Sequence, residues 1–312
     1  MRTLVRHCLV LSLLALCLPE PQAGEVHVAK GIDSMPGTKK KIDTAEVAAT
    51  RPMLIATETQ VVRADSAGKV VWRTPSGVSR DVWQLPNGNV LFPFNQNNEC
   101  GVREVTPAGK TAWEFRLPGQ YVISCQRMKG GNTLVGASCQ GAVLVVNPAG
   151  EVIHRIKMRA DHKKHSTTIV RELANGNILV VEESSRFVAE YTLAGERVWE
   201  MKTPFPPFGA ARLPNGNTLI SGRDGIIEAT PGKQIVWRLT KEDVQEVGPR
   251  WFAGFRILPN GNIVVCNAGG KVLFFEVNRQ KQVVWRSTLT KAQLGSAAHG
   301  FDLVPVAKTP AP

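Results

Sequence analysis

LPNGNVLF at 85–92 is written again, with small changes, as KGGNTLVG at 129–136, LANGNILV at 173–180, LPNGNTLI at 213–220 and LPNGNIVV at 258–265. An Asn-Gly or Gly-Gly pair between two apolar runs signals a tight hairpin, and the type I′ turn is the one such pairs favour. The turn glycines, Gly88, Gly131, Gly176, Gly216 and Gly261, recur every 40 to 45 residues. A strand-rich repeat of that length predicts propeller blades of four antiparallel strands.

Outward from each hairpin lies a second recurring word. It reads DSAGKVVW (65–72), TPAGKTAW (106–113), NPAGEVIH (147–154), TLAGERVW (192–199), PGKQIVW (231–237) and NRQKQVVW (278–285). Five copies end in Trp (Trp72, Trp113, Trp199, Trp237, Trp285), and His154 takes that place in the third. Each unit therefore reads strand, NGN turn, strand, loop, strand, AGK turn, strand. The first unit lacks its opening strand, and the missing piece lies at the far end. HGFDLVP (299–305) aligns with AGFRILP (253–259), and no turn follows it. The expectation is an all-β, six-bladed β-propeller over residues 51–306 whose ring the C-terminal strand closes. Seven blades is the alternative, with residues 25–50 supplying a strand. Closing a ring removes the long unpaired edges that open sheets must protect.

The flanks read differently. Residues 1–24 have the form of a signal peptide, with Arg2 and Arg6 ahead of the apolar run LVLSLLALCL (9–18). That run is too short to span a bilayer. Residues 25–50 are polar, with Pro36-Gly37 and three consecutive lysines (39–41), and read as a linker or strap; 307–312 read as a disordered tail. An exported monomer, periplasmic or secreted, with no transmembrane segment is the expectation. Cys100, Cys125, Cys139 and Cys266 follow the leader, and a disulfide is expected among the first three. The formal net charge of +12 points, for an exported protein, to a protein, an anionic glycan or another small ligand rather than to nucleic acid.

Ala64-Asp65 followed by Gly68-Lys69-Val70-Val71-Trp72 resembles the docking motif of pyrroloquinoline-quinone-type (PQQ-like) propellers. The resemblance spans roughly residues 52–306 and implies that the five Trp side chains pack between neighbouring blades. Quinoprotein dehydrogenases of that type hold their cofactor beside adjacent cysteines. This sequence has no Cys-Cys pair, so no cofactor is expected. The LPNGN unit and the six-blade count are also similar to bacterial arylsulfotransferases, in which a histidine at the central channel is transiently sulfated. His299 is the position that the likeness would assign to that role.

In a propeller, ligands gather where the loops entering the inner strands meet the loops joining strands two and three. Here that face would collect His165, within the basic run HKKH (162–165), Phe205 to Phe208, Arg250, Trp251, Arg80 and His299. His162 and His165 lack a placed carboxylate, and no metal site is expected. Arg250 and Trp251 could clamp a planar anion by charge and stacking, or Trp251 could pack on the next blade. His299 is expected to be partly solvated, with a pKa near neutrality, and Gly300 to leave space beside it. Gln84, Arg127, Arg171, Glu172, Arg212, Arg256 and Asp302 lie along inner strands and are expected to form salt bridges around the channel. Among the hydrolase and nucleotide-binding motifs, no Ser-His-Asp order, Walker loop or HExxH helix is present. The leading expectation is a non-enzymatic binding or scaffold module. The alternative is an arylsulfotransferase-like enzyme using His299.

Overall fold

The computed structural model describes residues 51–119, 121–159 and 168–305. They form six four-stranded antiparallel sheets, one per repeat, arranged as the blades of a propeller. Blade 1 consists of Ala298–Leu303, Met53–Thr57, Gln60–Ala64 and Val70–Pro75, from the inside outward. The C-terminal strand thus completes the first blade, with Leu303 opposite Met53 and Phe301 opposite Ile55. Blades 2 to 6 follow in chain order, with inner strands Trp83–Gln84, Val122–Arg127, Thr168–Glu172, Pro207–Arg212 and Phe252–Ile257. No helix among the described residues is long and apolar enough to cross a membrane.

The hairpins fall at the NGN words, but their turns are not type I′. Gly88 has φ 85° while Asn87 stays at negative φ; the Gly88 amide donates to the Leu85 carbonyl, and the Leu85 amide to that of Asn89. This is a type I turn closed by a left-handed glycine, the three-residue hairpin with a bulge. Asn87 holds it by accepting the Asn89 amide on its side chain at 3.0 Å, a local bond that competes with the positive φ of a type I′ turn. The AGK turns use the same geometry: Gly68 donates to Asp65, and Asp65 to Lys69.

The tryptophans do pack between blades. Trp113, Trp199 and Trp237 donate their indole N–H to the carbonyls of Pro148, Pro231 and Arg279 in the following blade. Over each ring lies a guanidinium: Arg127 over Trp113 at 5.0 Å, Arg212 over Trp199 at 4.7 Å, Arg279 over Trp237 at 4.4 Å. A carboxylate cross-strand from each Trp receives both that Arg and the second Asn of its own NGN turn. Glu190, for instance, accepts from Arg212 at 2.6 Å and from Asn177 at 2.8 Å. These bonds hold its carboxyl below the usual range despite the opposing effect of burial. Glu276 repeats the arrangement with Arg51, whose guanidinium lies over Trp285 and so ties the start of the ring to its last blade. Blades 1 and 3 depart from it, with Arg63 opposite Trp72 and Val145 opposite His154.

Cys125 and Cys266 are buried free thiols, so no bridge passes through Cys125. Burial raises the pKa of Cys125 and Cys266, as an apolar setting does for a structural thiol. Nor do Arg127 and Arg212 line the channel; they turn to Glu104 and Glu190 between blades.

Candidate functional site at the channel mouth

The loops entering the inner strands bring together residues far apart in sequence. Arg80 precedes the inner strand of blade 2, Phe208 opens that of blade 5, Trp251 precedes that of blade 6, and His299 begins that of blade 1. The rings of Phe208 and His299 lie nearly parallel, 17° apart at 6.2 Å, and Trp251 stands edge-on to both at 5.4 Å. The Arg80 guanidinium reaches over this cluster, 5.7 Å from Trp251 and 6.0 Å from Phe208, and meets Glu183 of blade 4 at 3.7 Å. Glu58, in the turn between the second and third strands of blade 1, places Oε1 3.5 Å from His299 Nε2.

His299 is only 4% exposed, against the expectation of a solvated ring. Neither of its ring nitrogens has a hydrogen-bond partner among the described residues, and the Trp251 indole N–H has none either. Burial, with the nearby Arg80 charge adding to it, pushes the His299 pKa down to about 3. The imidazole is therefore neutral at physiological pH, and its approach to Glu58 is not an ion pair there.

Below the mouth the channel holds a cavity of about 180 Å³, bounded by Arg80, Phe208 and Gly300 above and by Trp83, Arg171 and Arg256 deeper in. Trp83 is flanked by both deep guanidiniums, Arg171 at 4.8 Å and Arg256 at 4.6 Å. Arg171 is paired with Asp81 at 2.8 and 3.1 Å, and Arg256 with Asp302 at 3.1 Å. Asp302 also accepts the Gln84 amide at 2.9 Å. The inner-strand ion pairs expected around the channel are thus present here, with Asp81 as a member that the sequence reading did not include. Gly300 does not open space beside His299, as had been expected. A Cβ there would stand 2.2 Å from the Arg80 carbonyl oxygen, so the glycine lets blades 1 and 2 touch backbone to backbone.

Of the five positions named from sequence, His299, Trp251 and Arg80 meet at the mouth. Arg250 is exposed and extends over Gly269, apart from the ring cluster. His165 lies outside the described residues. Glu58 and Glu183 were not foreseen; both follow a second strand, and the loop-face rule applied residue by residue would have reached them.

No protein-family model matches the chain, and no curated protein matches its sequence. Solved structures do match. A protein of unknown function from Bacteroides caccae is 21% identical with a TM-score of 0.68, covering 80% of this chain and 97% of that one. Virginiamycin B lyase from Staphylococcus aureus is 12% identical with a TM-score of 0.54, covering 82% and 89%. A catalytically inactive histidine-to-alanine variant of that lyase, with quinupristin, is 11% identical with a TM-score of 0.53, covering 78% and 86%. These likenesses establish the propeller fold.

Proposed function

We propose that the protein is an exported propeller that binds a small ligand at the channel mouth without transforming it. The observation that carries this reading is His299, a buried neutral imidazole whose two nitrogens have no hydrogen-bond partner among the described residues, walled by Phe208 and Trp251. A buried polar group without a partner costs about 1–3 kcal/mol, which a ligand supplying a donor or acceptor would recover. The cavity below, about 180 Å³ and walled by side chains from several blades, favours a small molecule over a broad protein surface. A ligand-observed NMR screen on the whole protein should return compounds whose binding disappears in Trp251→Ala and persists in Trp237→Phe. Hits that all survive Trp251→Ala would move the seat elsewhere. Export is tested by fractionation and N-terminal sequencing, which should find the chain outside the cytoplasm and shortened by about 24 residues.

Glu58 beside His299 favours a second reading, an enzyme using the neutral ring as nucleophile or base. It ranks second because a ring with so low a pKa is a weak base. Turnover of an aryl sulfate with a sulfated His299 detected by mass spectrometry would reverse the order.

A further inference from the structure

We propose that the far end of the channel cavity is a second binding site, a slot that opens on the hairpin face and takes an uncharged aromatic ring. It lies apart from the mouth seat proposed above and stands or falls separately.

The slot exists because one blade leaves it empty. At one register of the six inner strands, two residues ahead of the hairpin word or its counterpart, stand Trp83, Gln126, Arg171, Ala211, Arg256 and Asp302. Blade 5 alone brings only a methyl group there. Its strand Pro207–Arg212 has nothing larger than a methyl between Phe208 and Arg212, and Arg212 turns away to Glu190. The cavity follows that gap, with Gly209, Ala210 and Ala211 along one wall. Its residues nearer the mouth, Phe208 and Ile169, are buried, whereas Ile257 at the other end is 38% exposed and Ala211 and Trp83 are partly exposed. The way in from water is therefore on the side of the hairpins.

Size and charge select the occupant. An apolar cavity of about 150 Å³ is enough to hold benzene, and this one measures about 180 Å³. The charges at its deep end cancel in pairs, Arg171 with Asp81 and Arg256 with Asp302. An ion entering there would lose its hydration and find no unpaired charge among those four side chains, so a neutral group is favoured. The two guanidiniums already lie against the Trp83 ring, at 4.8 and 4.6 Å, and a further ring can meet the same cations with its electron-rich face. Ala211, Phe255 and Ile257 supply apolar contact on the other sides. A saturated ring of equal size gains that contact without the cation–π part.

The test is an NMR titration of the whole protein with benzyl alcohol, cyclohexylmethanol, benzylamine and benzoate. These compare an aromatic ring with a saturated one, and a neutral group with either charge. Benzyl alcohol should bind best, about threefold or more ahead of cyclohexylmethanol. Ala211→Leu, which fills the gap in blade 5, should abolish its binding, and Trp251→Ala, at the mouth, should leave it unchanged. If Ala211→Leu fails to fold, the methyl signals of Ala211 and Ile257 in wild type serve instead, and should shift on adding benzyl alcohol. The proposal is overturned if benzyl alcohol does not bind, if it still binds Ala211→Leu, or if both methyls stay unmoved. Any of the other three compounds binding as well as benzyl alcohol overturns it too. Binding lost in Trp251→Ala would put the ring at the mouth, sparing that seat and removing the slot. Benzyl alcohol bound in the slot, with no Trp251-dependent ligand in any screen, would do the reverse.

Discussion

At the scale of single residues, His299 carries a pH signature. Its folded pKa of about 3 lies below the ordinary 6.5, so between those values the unfolded chain takes up a proton that the folded chain refuses. Stability from this group is full above pH 6.5 and falls as pH drops, by up to about 1.4 kcal/mol per unit. Urea unfolding of wild type and His299→Gln between pH 6.5 and 5 should show the extra slope in wild type alone. Equal slopes would mean that the ring is solvated after all. The position of His299 was legible because Thr168, Phe208 and Ala253 show that the repeat does not demand histidine there. Its burial was not, since the covering rings come from blades 5 and 6 and nothing local to residue 299 encodes them.

Among elements, the blades owe their limits to turn words and their spacing to the Arg–Trp–Glu–Asn contacts between them. The hairpins could be read because a left-handed glycine is a strictly local requirement. The glutamates could have been read and were not. Glu104, Glu190, Glu228 and Glu276 each stand nine residues before a Trp, a constant offset hidden by the more visible AGK turns. Close approach of inner strands is the other device at this scale. A Cβ on Gly254 would stand 3.0 Å from the His299 carbonyl oxygen, and one on Gly300 closer still to that of Arg80. Gly300→Ala should therefore cost about 1–3 kcal/mol by forcing blades 1 and 2 apart, and should disturb the mouth seat beside Arg80 along with it. Denaturant unfolding together with ligand binding checks both, and an alanine variant as stable as wild type would contradict the packing.

The whole ring depends on strand Ala298–Leu303, which pairs with Met53–Thr57 across nearly the full length of the domain. Ending the chain before Ala298 should bare the inner edge of blade 1, together with core neighbours of Phe301, and lower the melting temperature by well over ten degrees or abolish cooperative melting. A melt within a degree or two of the full chain would refute closure by this strand. The link from blade 6 to that strand is short and held by a one-turn helix, Lys291–Leu294, whose Thr290 and Gln293 cap each other. A strand that completes its partner only at the end of the chain need not complete its own. Two chains opened at this seam can trade closing strands, each finishing the other's first blade with every native contact preserved, and the capped turn makes that exchange costlier by holding the link folded back on its own ring.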